Sequence, residues 1–320
     1  METVQTELRR LCMLRSLTLA VFLSAFVPTV ATAQESSPEP FQIPRVEGRI
    51  EVDGVPDEPL WDQAWTMTLD YEVEPGENIP APVVTEVMVM YDANRLYVGF
   101  RAHDPNPAAI RAHLADRDDA WNDDWVGVVL DTFNDDRRDY LFAVNPLGVQ
   151  MDVIEVNLTS STPWDGIWKS AAEIHDWGWS AEIVIPFSTL RFQRSEGPQI
   201  WGFDAIRGYA RGTRAMMGSF PRDRSNNCYL CQAHKIEGFA GVSPGRNIEL
   251  VPTLTASRTD EREDFPEGSM VNGDPDVDVG LTARWGITPN LTLSGTINPD
   301  YSQVEADALQ LTVNRPFAIF

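Results

Sequence analysis

The stretch DWVGVVLDTFNDDRRDYLFAVNPLGVQMDVIEVN, Asp124 to Asn157, decides the fold. Asp124–Asp131 and Asp139–Asn145 are short runs rich in β-branched and aromatic residues. The polar segment NDDRR separates them, and Pro146-Leu147-Gly148 leads into a third run, Val149–Asn157. Runs of this length, bounded by turn residues, are strands of an antiparallel meander.

The pattern extends in both directions. Upstream, Val84–Asp92 alternates and turns at Ala93-Asn94 into Arg95–Asp104. Downstream, Ser170–Asp176 and Gly178–Phe187 form another hairpin, and Ile200–Arg211 closes the set. Short strands at a spacing of about ten residues predict an all-β, jelly-roll-like antiparallel β-sandwich. Long helical periodicity is missing, which excludes α/β and helical-bundle classes.

The segment RIEVDGVPDEPLWDQAW, Arg49–Trp65, opens the domain. Ile50 and Val52 are expected to begin a strand that turns at Asp53-Gly54. Asp57 or Glu58 is then expected to cap a short helix with Pro59 near its start. Leu60, Trp61, Ala64 and Trp65 would form its inward stripe, with Trp61 as a core plug.

The chain has 320 residues, of which 43% are hydrophobic, enough for a sizeable core. Its formal charge is −23, from 48 acidic residues against 25 Lys and Arg, which argues against a nucleic-acid partner. Arg9, Arg10 and Arg15 precede the uncharged run Ser16–Val30 and the small residues Ala31–Ala33. Residues 1–33 therefore read as a secretory signal peptide, with Met13 as an alternative start. Residues 34–45 read as a Ser/Pro/Glu-rich linker. Cys12 leaves with the signal, so Cys228 and Cys231 remain. In an oxidising compartment their C-x-x-C spacing reads as a loop-closing disulfide, with a redox pair as the alternative.

The character of the chain changes near Gly241. Ile248–Asp260, Val277–Ile287 and Leu291–Tyr301 are strands with apolar residues on one face and small or polar residues on the other, as in transmembrane β-barrels. A second soluble β-domain has the same periodicity. Residues 245–320 hold too few strands to close a barrel, so an incomplete barrel, the front part of a longer protein, is the expectation.

Several of these segments carry a family resemblance. Ile50–Ala64, Asp123–Asp152 and Trp177–Leu190 resemble family 9 carbohydrate-binding modules, which places the module at 46–241. Gly245–Ala256 and INPDYSQVEAD, Ile297–Asp307, resemble the uncharacterised barrel domain that follows this module in many outer-membrane proteins. That domain continues through further strands, so an end at Phe320 implies truncation. The resemblance implies glycan binding, an outer-membrane or periplasmic location, and a structural calcium. The chain departs from the family at Gly127, where an acidic residue is usual.

Candidate chemistry follows. The acids form no pair with a distinguishing spacing for glycoside hydrolysis. No G-x-S-x-G is present, and His103, His113, His175 and His234 form no motif. Sugar binding asks for aromatics in polar loops, which nominates Trp121, Trp164 and Trp168, with Arg138 and Asn145 as polar partners. The alternative for Trp125 and Trp168 is cover for the sheet edges. Asp116, Asp118, Asp119, Asp123 and Asp124 are hard oxygen ligands suited to calcium, although the EF-hand pattern fails at Ala120 and Trp121. A solvated acidic loop is the competing reading. The expected function is carbohydrate binding at the envelope in support of polysaccharide catabolism. The alternatives are a plug or cap of an outer-membrane barrel that binds no sugar, and an O-glycosyl hydrolase.

Overall fold

The computed structural model describes residues 39–156, 159–160, 164–244, 248–262, 268–288 and 291–298. The signal segment 1–33, linker residues 34–38 and motif residues 299–307 lie outside the described residues.

The chain is all-β. Its first strands are β1 (Phe41–Gln42), β2 (Trp65–Thr68), β3 (Tyr71–Glu74), β4 (Ile79–Pro80), β5 (Thr85–Tyr91), β6 (Arg95–His103) and β7 (Trp125–Asp131). They are followed by β8 (Arg138–Val144), β9 (Gln150–Val156), β10 (Thr159–Ser160), β11 (Lys169–His175), β12 (Gly178–Pro186) and β13 (Gln199–Ala210). Then come β14 (Arg214–Gly218), β15 (His234–Gly238), β16 (Ile248–Ser257), β17 (Asp260–Arg262), β18 (Met270–Asn272), β19 (Asp276–Thr288) and β20 (Leu291–Ile297).

Two sheets make the sandwich. One runs β10-β9-β8-β7-β13-β14-β3-β4, with β15 beside β13 and β1 beside β15; the other runs β11-β12-β6-β5-β2. The β1–β15 pair is parallel. Between the sheets, Val87, Val98, Phe100 and Ile183 of the smaller sheet meet Val126, Val128, Phe142 and Phe203 of the larger one. Central strands are buried on both faces; all seven residues of β7 are buried, so its sequence reads as a near-continuous apolar run.

A buried cation ties the sheets at one end. Arg207 of β13 is fully buried, and its Nη1 donates to Thr85 Oγ1 at 3.0 Å and to the His103 carbonyl at 3.0 Å, both on the smaller sheet. Arg211 bridges Asp104 and Asp124, fixing the loop that enters β7.

The opening segment departs from expectation. Ile50–Val52 is not a strand, because its neighbours' backbone donors go to a side chain. Fully buried Glu182 of β12 accepts the Asp53 N–H at 3.0 Å, the Gly54 N–H at 2.9 Å and the Trp61 Nε1–H at 3.1 Å. The expected helix is a single 3-10 turn, Trp61–Gln63, with Leu60 at its N-cap and no side-chain cap; Glu58 instead accepts the Glu51 N–H. Trp61 is a core plug, 3% exposed. Trp65 belongs to β2 and packs on Phe41 and Phe203. Phe41–Gln42 is strand rather than linker, and Ile43 enters the core.

β16, β19 and β20 form a separate three-stranded sheet, with Ile248 opposite Trp285 and Leu281 opposite Ile297. Ile248, Leu250, Leu254, Val277, Val279, Leu281, Trp285, Leu293 and Ile297 share one face and are 37–72% exposed. Thr253, Thr255, Asp278, Thr282, Arg284, Ser294 and Thr296 point the other way. No closed barrel forms among the described residues.

Glu182→Ala leaves two buried donors, the Gly54 N–H and Trp61 Nε1–H, and the half-buried Asp53 N–H without their acceptor. We expect a loss of about 2–4 kcal/mol in urea denaturation, since each unmatched buried donor costs about 1–3 kcal/mol. Unchanged stability would mean that the opening segment is held by packing alone.

Candidate functional site

The outer face of the larger sheet, away from the sandwich core, is also apolar. Trp125 and Val129 of β7, Leu141 and Ala143 of β8, Met151 of β9 and Ile206 of β13 cluster there with Trp121, Met216, Tyr229 and Leu230. Above this face lies a groove of about 840 Å³. Its floor is Trp125, Val129, Leu141, Val153, Ile206 and Met216, with half-buried Trp121 beside them. Its rim is Glu74, Glu155, Arg214, Arg222, Asp223, Arg224, Asn226, Asn227, Tyr229 and Gln232.

One wall is the segment between β14 and β15, and one carboxylate fastens it. Fully buried Asp204 of β13 accepts the Ser219 hydroxyl at 2.6 Å, the Tyr229 hydroxyl at 2.6 Å and Arg222 Nη2 at 3.2 Å. The Arg222 guanidinium sits 4.7 Å from the Tyr229 ring. A Cys228–Cys231 disulfide closes the same segment and keeps Tyr229 and Leu230 turned to the sheet.

Two acids stand next to each other at one end of this face. Asp139 of β8 is directly opposite Glu155 of β9. Burial pushes the Asp139 carboxyl up to about 8, and the charges of Glu155 and Asp131 add to the rise. Burial raises Glu155 as well, and Arg222 opposes it. Glu155 lines the groove, whereas Asp139 does not.

The structure separates the expected aromatic platforms. Trp121 lines the groove, its ring edge-on to Trp125 at 5.5 Å. Trp164 lies on the other side of the sheet, packed on Tyr140 at 5.4 Å and Phe142 at 5.9 Å. Trp168 is 6% exposed within the inter-sheet core. Trp121 and Trp164 therefore lie on opposite faces of the larger sheet. Arg138 shares the strand face of Tyr140, away from the groove, and its guanidinium lies 5.3 Å from the Phe133 ring. Asn145 is fully buried, and both ends of its amide are spent inside the protein. It donates to the His113 carbonyl and Asp123, and accepts from the Leu147 and Val149 N–H groups. Its place is in holding the loop, where no ligand reaches it.

The acidic loop is likewise rearranged. Asp116 and Asp119 are exposed, while Asp123 is buried against His113. Burial raises the Asp123 carboxyl, but hydrogen bonds from His113 and Asn145 outweigh it and the net shift is downward. Asp124 is bound to the Arg111 N–H and to Arg211. Asp118 instead meets Asp152 and Asp165, with ligand oxygens within 4.8 Å of one another. Arg117 pairs with Asp152 and Asp165 in that cluster and donates to the Gly166 carbonyl. Its guanidinium supplies the positive charge that a calcium ion would bring, so this donor set does not fit the ion while Arg117 stays.

A family model for "carbohydrate family 9 binding domain-like" matches residues 52–216, just over half of the chain. The chain belongs to that family. No curated protein matches it. Among solved structures, a candidate carbohydrate-binding protein of Bacteroides uniformis ATCC 8492 is 14% identical, with a TM-score of 0.51 over 62% of this chain and 97% of that one. A family 9 module of Caldicellulosiruptor kristjanssonii, solved with cellotriose, is 17% identical, with a TM-score of 0.45 over 62% of this chain and 92% of that one. The same module solved with glucose is 17% identical at a TM-score of 0.46, over 61% of this chain and 94% of that one.

Within this family 9-like domain, Gly127 has a steric reason. A Cβ there would stand 2.8 Å from the Phe142 carbonyl and 2.9 Å from Ala143 Cβ, so the groove floor is bare between β8 and β13. At Gly208 a Cβ would fall 2.3 Å from Trp125 Nε1, because the indole lies across that glycine.

Asp139 sets a pH dependence. Its folded pKa of about 8 lies above the unfolded value, so between about pH 4 and pH 8 the folded state holds a proton that the unfolded state has released. Stability therefore falls as pH climbs through that window. Asp139→Asn is expected to flatten the fall and to be more stable by about 1–3 kcal/mol near pH 8. Parallel pH profiles for the two proteins would refute this.

Proposed function

We propose that the groove on the outer face is a carbohydrate-recognition site. The observation that carries this is the pairing of an accessible indole, Trp121, with a rim of amides and charges from Asn226, Asn227, Gln232 and Arg214. Sugars stack an apolar C–H face on indole and give their hydroxyls to such edges. Membership of the family and the cellotriose and glucose complexes of its relatives point the same way.

The proposed role is recognition without turnover. Asp139 has the raised pKa that a glycosidase acid needs, yet it lies outside the groove lining and has no line to a bound sugar. Titration calorimetry of the full chain against soluble mono- and oligosaccharides tests the site. One sugar is expected to bind in the micromolar-to-millimolar range, and Trp121→Ala, checked to unfold cooperatively, to weaken it at least about tenfold. A silent panel, or binding that survives Trp121→Ala, removes the assignment.

We propose further that the chain is exported and that β16, β19 and β20 belong to an outer-membrane barrel, so that recognition takes place at the envelope and serves polysaccharide use. What supports this is the sheet with one wholly apolar, exposed face and an opposite face of Thr, Ser and charged residues. The full chain should float with phospholipid vesicles, and the pair Leu254→Asp and Val279→Asp should reduce flotation severalfold. Flotation indifferent to both substitutions would leave the sheet a soluble element.

A further inference from the structure

The groove offers more apolar surface than a plain sugar can use. Beside the Trp125 ring, Val129, Leu141, Val153, Ile206 and Met216 make most of its floor aliphatic, and the polar lining groups flank them. A hexose carries hydroxyls around its whole equator and is apolar only in small patches on its two faces. A hydroxyl pressed against that floor gives up water and gains no partner, the ordinary cost of burying an unmatched polar group. The floor therefore suits a group without hydroxyls.

Size and charge narrow the choice. About 840 Å³ holds a sugar together with a substituent of comparable bulk. The rim carries Glu74, Glu155 and Asp223 against Arg214, Arg222 and Arg224. The lining charges are thus matched three against three on a chain whose formal charge is −23, and the lining singles out no ionic headgroup of either sign. Burial raises the Glu155 carboxyl at the groove's edge, as a weakly polarisable surrounding requires.

We infer that the groove takes a neutral amphipathic glycoside, with the sugar held at Trp121 and the amide rim and an apolar aglycone or acyl substituent laid along the aliphatic floor. The inference rests on the carbohydrate reading of the same groove and names its ligand class. It makes Val153 and Met216, both half-buried in the floor, determinants of specificity.

Calorimetric titration of the full chain tests it with β-glucosides, β-galactosides and β-xylosides, each as the methyl, octyl and 4-nitrophenyl derivative, below any micellar concentration. Octyl or nitrophenyl derivatives of one sugar are expected to bind at least tenfold tighter than its methyl glycoside. In Val153→Thr and Met216→Gln that ratio should fall at least threefold, with folding checked by melting temperature. Equal affinity for methyl and substituted glycosides overturns the inference and leaves the carbohydrate reading standing. Octanol binding as well as octyl glycoside would also overturn it, by showing an apolar sink with no sugar requirement. If no glycoside binds, both readings fall. A ratio unchanged in two folded variants removes the floor residues, and with them the inference.

Discussion

A sheet that is apolar on both faces needs two covers, and most of this molecule follows from that constraint. The inner face of the larger sheet has an obvious cover in the smaller sheet, with Phe100 and Ile183 meeting Phe142 and Phe203. Among the described residues no third layer covers the outer face. Its Val129, Leu141, Met151 and Ile206 are covered by loops instead, chiefly the turn bearing Trp121 and the segment bearing Tyr229 and Leu230. Loops cover less completely than a sheet does, because their own backbone polar groups must stay near water or find partners. What they leave uncovered is the groove.

The position of that second cover depends on Asp204. A carboxylate with no exposure is tolerated only when its lone pairs are filled, and here Ser219, Arg222 and Tyr229 fill them. The same bonds that satisfy Asp204 hold the wall of the groove. Tyr229 shows the price of that arrangement: burial drives its phenol pKa well up, and the Asp204 charge adds to it. Placing the hydroxyl as a donor to Asp204 is what makes its burial tolerable.

The strands were legible in the sequence where they were long and flanked by turn chemistry. Thr85–Tyr91, Arg95–His103 and Gly178–Pro186 stand within a residue of the runs read from alternation and turns. Short strands such as Tyr71–Glu74, Ile79–Pro80 and Arg214–Gly218 were not, since two to five residues carry too little periodicity. The opening segment misled because Ile50 and Val52 alternate as a strand would, while the acceptor that holds the segment, Glu182, is 128 residues away from Gly54. The candidate site was half legible. Trp121 reaches the groove, but composition gives no means of assigning a loop tryptophan to one side of a sheet, and Trp164 and Trp168 went to the other. The wall of Arg222, Tyr229 and Gln232 carried one faint signal, the cysteine pair that frames Tyr229.

A charge of −23 suggests a solvated surface, yet several carboxylates are interior and their partners explain why. Asp104 and Asp124 are matched by Arg211, Asp152 by Arg117, and Asp204 by Arg222. Arginine suits each place because a planar fork can satisfy a carboxylate and neighbouring carbonyls together, as Arg117 does with Asp152 and Gly166. Asp139 and Glu182 are buried with no cation beside them, and burial pushes their carboxyls up to about 8 and about 7. These interior acids thus have structural partners, and the groove lining is left with as many arginines as acids. Recognition there falls to an indole, an aliphatic floor and amide edges, which is chemistry for an uncharged ligand.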